Sequence, residues 1–141
     1  MNELTLTTGS DANGIKTILV ECRFLRIVVL PEAGAKIWQI HHKPLDVEIM
    51  WINPCVPAAR HAINAPYDDA WTGNWHAERF ERAVDVGVHL RLTTPISNFL
   101  VERTLLSCGD RPSFEIQCRF TNQGERDLSV PLEAAPRIRH L

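Results

Sequence analysis

A chain of 141 residues, 45% of them hydrophobic, has room for one domain with its own core and needs no disulfide staples. Its 15 basic and 17 acidic residues leave a net charge of -2, with neither a basic stripe to neutralise phosphates nor an acidic tail, which argues against nucleic acid as a partner. No apolar run is long enough to span a bilayer and the first eight residues hold no basic stretch leading into an apolar one, so the expectation is a cytoplasmic protein with no membrane partner.

In chain order, a short edge strand is expected over residues 3–8, followed by a turn on Gly9, Asp11, Asn13 and Gly14. Residues 15–21 are rich in β-branched side chains and read as a strand, and residues 24–30 return antiparallel to it through Cys22 and Arg23. The next stretch is the one around which the chain is organised. Leu30-Pro31-Glu32-Ala33-Gly34-Ala35-Lys36 is a reversal, with a Pro that cannot donate a ladder bond and a Gly free to take positive φ. Its second arm runs to His41-His42, then Lys43-Pro44-Leu45-Asp46 turns the chain into a strand over residues 47–52.

Pro54, Pro57 and Pro66 break any regular element across residues 53–72, which read as a long loop, the kind of segment that carries function. Regular structure is expected to resume at Val84, where Val84, Val86, Val88, Leu90 and Leu92 alternate with Asp85, His89 and Arg91. Residues 99–106 and 114–121 make two further strands, and Asn122-Gln123-Gly124-Glu125 a turn. With no sustained helical period, the fold class is all-β: an antiparallel β-sandwich in a single domain spanning residues 1–141.

Cys22, Cys55, Cys108 and Cys118 show no C-x-x-C spacing and are expected to be free thiols. His41 and His42 point to opposite faces of a strand, and the other histidines lack ligand spacing, so neither metal nor cofactor is expected. The richest stretch is residues 67–80. There Trp71 and Trp75 could stack on the apolar face of a sugar ring while Asn74, His76 and Glu78 bind its hydroxyls, with Trp38 in reach if the sheet brings it near. The competing reading makes the two tryptophans anchors of the loop into the core.

The run from Leu30 to Trp38 resembles the early Leu-Pro-Glu-x-Gly-Gly-Lys-Ile hairpin of galactose mutarotase-like proteins, the aldose 1-epimerase superfamily. Asp69-Ala70-Trp71-Thr72-Gly73-Asn74-Trp75 looks like the Gly-Gly-Trp loop of its less characterised branches, and Glu102-Arg103-Thr104-Leu105 and Phe120-Thr121-Asn122 are similar to its later strands. The likeness runs in order through most of residues 15–131. It implies a large sandwich holding a monosaccharide or sugar derivative in a groove on one sheet, and an isomerase in which a histidine and a glutamate exchange protons with the sugar without a cofactor.

Measured against that family, the chain is expected to be an N-terminal half. The family's late glutamate has no counterpart, and no catalytic residue is assignable. Its tail, residues 128–141, departs from the pattern: an aromatic and a His-Pro are expected where Leu132-Glu133-Ala134-Ala135-Pro136 stands. Codons of the form CTG GAA GCA GCA CCC, read one base later, encode Trp-Lys-Gln-His-Pro, so the tail is expected to be out of frame. Such a half is expected to be inactive alone and to self-associate through uncovered strands. The alternative function is a small non-enzymatic sandwich, a binding or assembly module with core or interface tryptophans.

Overall fold

The computed structural model describes residues 5–10, 14–50, 75–81, 85–94, 97–108 and 111–129. They form two antiparallel sheets. The first has five strands in chain order: β1 (Thr5–Ser10), β2 (Lys16–Glu21), β3 (Leu25–Leu30), β4 (Lys36–His42) and β5 (Val47–Glu48). The second has four, also in chain order: β6 (His76–Glu81), β7 (Asp85–Thr93), β8 (Phe99–Cys108) and β9 (Phe114–Asn122). Among the described residues no helix is long and apolar enough to cross a membrane.

The two sheets share one core. Ile18, Val20, Leu25, Ile27, Val29 and Ile40 from the first sheet cluster with Val88, Leu90, Val101 and Leu105 from the second, an arrangement in which inward residues of both sheets interdigitate. A smaller cluster of Ile15, Leu30 and Ala33 lies beside the Pro-Gly reversal, with Val28 and Trp38 packed on it. Trp38 thus packs on the smaller cluster, whereas Trp75 belongs to the larger one. Cys22 is a buried free thiol and Cys118 an exposed one.

The reversal itself is a 3-10 turn, Pro31–Ala33, closed by Gly34 at φ 73° and Ala35 at φ 50°. Ala35 is a non-glycine residue in the left-handed region, which costs energy that neighbouring contacts must offset. Two long-range bonds do so. The Trp75 backbone N–H donates to the Pro31 carbonyl at 2.9 Å, and the Arg103 guanidinium, from β8, donates to the Ala35 carbonyl at 3.0 Å. Arg103 also lies over the Trp75 ring, 5.0 Å from its centroid.

Several strand boundaries differ from expectation, among them β8, which runs to Cys108, and β9, which takes in Asn122. Gly9, assigned to a turn on composition, lies within β1 opposite Thr17 of β2, and the strand runs on to Ser10. Residues 76–81, which read as loop with regular structure resuming only at Val84, form β6, paired along its length with β7 from His76 opposite Arg91 to Glu81 opposite Val86. As an edge strand carrying His76, Glu78 and Arg79, β6 shows none of the apolar alternation by which buried strands are recognised. Of the strand expected over residues 47–52, Val47–Glu48 form β5, and residues 51–52 lie outside the described residues. Just beyond β5 the Ile49 N–H donates to the Ile40 carbonyl at 2.8 Å, and the Glu48 carboxylate accepts from the Ile40 N–H at 2.8 Å and the Met50 N–H at 3.3 Å. The loop of residues 53–72 and the tail from residue 130 lie outside the described residues.

Gly87 marks a close approach in the second sheet: a Cβ there would sit 1.8 Å from the Leu105 carbonyl oxygen, so no larger residue fits without moving backbone. Arg103→Met keeps the apolar stem over Trp75 while removing the bond to Ala35. The expected result is a loss of about 1.5–3 kcal/mol of unfolding free energy in urea, the range for a hydrogen bond from a charged donor.

Candidate functional site

The register of the second sheet sorts its side chains into two sets. Val86, Val88 and Leu90 on β7 and Val101 and Leu105 on β8 are buried. His89 and Arg91 on β7 and Glu102 and Thr104 on β8 lie on the opposite face, and the pairing aligns them in rows with β6: His76 beside Arg91 beside Glu102, and Glu78 beside His89 beside Thr104. One face of β6, β7 and β8 therefore carries two histidines, two carboxylates, an arginine and a hydroxyl within two adjacent rows.

These groups are bonded to one another. Glu78 accepts from His76 Nε2 at 2.8 Å and from Arg91 Nη2 at 3.0 Å. The hydrogen bond from His76, followed by the charge of Arg91, holds the Glu78 carboxyl below its ordinary value, so it stays ionised in mildly acidic solution. His89 Nδ1 shares a 2.9 Å hydrogen bond with Thr104 Oγ1, and its Nε2 lies 3.5 Å from Glu102 Oε1. An ionised carboxylate only accepts, so the neutral His89 ring carries its proton on Nε2 and Nδ1 accepts from the Thr104 hydroxyl.

Chemically, this is a surface of fixed donors and acceptors. Glu78 and Glu102 offer carboxylate oxygens, Arg91 and the two imidazoles offer N–H groups, and Thr104 offers a hydroxyl that serves either way. His76, Glu78 and Arg91 are half or more exposed and reachable by a solute, while His89 and Glu102 are about one quarter exposed, set lower between the strands. Among the described residues no three His, Cys, Asp or Glu side chains are placed to hold a metal ion.

Of the five residues singled out from sequence, the structure brings His76 and Glu78 together. Trp75 is placed elsewhere: its side chain is 2% exposed, in the core beneath Arg103, with no ring face open for a sugar. It is a core anchor and not a stacking platform. Trp71 and Asn74 lie outside the described residues. Sequence reasoning missed Arg91, His89, Glu102 and Thr104 as members of the site. The signal is present, since His89 and Arg91 stand on the polar side of the alternation in β7, but the strand that completes their rows reads as loop.

Comparison of the chain with protein-family models, with curated proteins and with solved structures finds no match in any of the three.

Because Glu78 titrates below its unfolded value, the stability it contributes is present above the unfolded carboxylate value and is lost as the pH falls through its own lowered one. Carbon-detected NMR titration is expected to show the Glu78 midpoint below that of an ordinary glutamate. Removing the largest cause with His76→Ala should move it up further than Arg91→Met does. An unshifted midpoint in the wild-type chain would contradict the hydrogen-bonded geometry.

Proposed function

We propose that this chain is a carbohydrate-binding sandwich of the mutarotase-like kind, holding a monosaccharide or sugar derivative on the outward face of β6, β7 and β8. The observation that carries the reading is the cross-strand array of His76, Glu78, Arg91, His89, Glu102 and Thr104, which projects acceptors and donors side by side from one sheet. Vicinal hydroxyls need that mixture: each both donates and accepts, and a carboxylate beside an arginine or imidazole meets both demands.

In the proposed complex Glu78 and Glu102 accept from sugar hydroxyls while Arg91 and His76 donate to their oxygens. His89 sits between Glu78 and Thr104 in its row, its ring oriented by Thr104. The order of motifs resembling the mutarotase-like family supports the same face-on binding, since the resemblance implies a sugar held on one sheet. The resemblance also implies isomerase chemistry, for which no catalytic residue is assigned among the described ones. The proposed role is sugar binding without ring opening. An assembly-module role is favoured separately by the exposed apolar side of β9.

Calorimetric titration with galactose and with glucose tests this reading. Saturable binding at millimolar sugar is expected, weakened about tenfold by Glu78→Ala, the scale on which losing one charge-assisted hydrogen bond shows in an affinity. Arg26→Gln, on the other sheet, should leave the affinity unchanged. Polarimetry on freshly dissolved sugar should give the buffer rate. No saturable heat with either sugar would sink the binding reading, and mutarotation above the buffer rate would overturn the non-enzymatic part.

A further inference from the structure

β9 pairs with β8 on one side and, among the described residues, has no strand on the other. It is nine residues long and, from Glu115 to Asn122, exposed throughout. Its side chains facing the same way as the core residues of β8 are Phe114, Ile116, Cys118 and Phe120, aligned by register with Ser107, Leu105, Arg103 and Val101. Yet Ile116 is 44% and Phe120 39% exposed, so this end of the second sheet carries an apolar stripe that the first sheet does not cover.

Sheet edges are ordinarily blunted by lysine, proline, a bulge or a very short strand. Among the described residues, two other sheet edges show such devices. β5 is two residues long, and β6 carries polar and charged side chains at His76, Glu78 and Arg79, with the Trp75 N–H just before it given to Pro31. β9 has no lysine or proline, and its pairing with β8 runs without a register shift.

What β9 carries instead is a self-complementary charge pattern. Glu115 and Arg119 lie two residues to either side of Gln117, all three on the same face of the strand. We propose that two copies of this chain pair through β9, antiparallel and centred on Gln117, joining their four-stranded sheets into one continuous sheet. In that register Glu115 faces the partner's Arg119, Arg119 faces the partner's Glu115, and Gln117 faces the partner's Gln117, so the two-fold axis makes both ion pairs at once.

On the opposite face, Phe114 comes beside the partner's Phe120, and Ile116 beside the partner's Cys118. The exposed apolar stripe is thereby covered by its own copy, and Phe120, already stacked on Phe99 at 6.0 Å between ring centroids, is flanked on its open side. Moving the centre by one residue would set Gln117 against the partner's Arg119 and lose both ion pairs, so the charges choose the register.

Charge reversal tests the proposal, read by sedimentation velocity with circular dichroism to confirm that each variant keeps its sheet content. Wild-type chain is expected to show a monomer–dimer equilibrium. Glu115→Arg and Arg119→Glu should each weaken it at least about tenfold, since each sets like charges face to face at both pairs. An equimolar mixture of the two variants should regain dimer containing one chain of each, because the introduced arginine of one chain then faces the introduced glutamate of the other.

A wild-type chain that stays monomeric at every concentration overturns the proposal, as do single variants that dimerise like wild type or a mixture that stays monomeric. Protection from hydrogen exchange, in a monomer, of the β9 amides that point away from β8 would also overturn it, showing that the edge is covered by the chain itself.

Discussion

The Arg103 guanidinium joins the two sheets at the point where the backbone is least comfortable. It leaves β8, crosses the Trp75 ring and donates to the carbonyl of Ala35, a residue held at positive φ by the Pro31–Gly34 reversal. Trp75 gives its own N–H to Pro31 in the same turn. Three segments far apart in sequence are thereby tied at one place, and each bond satisfies a carbonyl of a tight turn that no ladder could serve. With Trp75 fixed in the core, the next residue begins β6. The position of His76 and Glu78 on the outward face thus follows from an inward anchor one residue earlier.

The candidate site inherits its geometry from sheet register and not from a loop. The same strands that send Val88, Leu90, Val101 and Leu105 into the core send His89, Arg91, Glu102 and Thr104 outward, so the packing that stabilises the sandwich also fixes the spacing of the polar array. A slip by one residue would exchange the two sets and place an arginine and a histidine in the core. The hydrophobic term therefore enforces the register on which the array depends. The hydrogen bonds among Glu78, His76 and Arg91, being exposed, orient side chains more than they stabilise the fold.

The strands are legible where apolar and polar residues alternate. β7 and β9 carry that signal, β2 is legible instead through its β-branched side chains, and the reversal at Pro31–Gly34 announces itself through two residues with restricted or unusual backbone. β6 is not legible, because Ala77 and Arg79 occupy its inward side and His76, Glu78 and Phe80 its outward one, leaving no apolar period. Trp75 misleads for a related reason. Beside carboxylates and a histidine, a tryptophan reads as part of a polar site, whereas the structure turns that residue inward and its neighbours His76 and Glu78 outward. The role of Arg103 depends on a bond across 68 residues of sequence separation, a relation that local pattern does not carry.

Carbohydrate binding on the outward face of β6, β7 and β8 is tested most directly by mapping chemical-shift changes in the isotope-labelled chain as monosaccharide is added. Saturable shifts concentrated at His76, Glu78, His89, Arg91 and Thr104 are expected, with the core residues of β2 and β3 unmoved. Saturable shifts centred on the first sheet, or none at any sugar concentration, would contradict it.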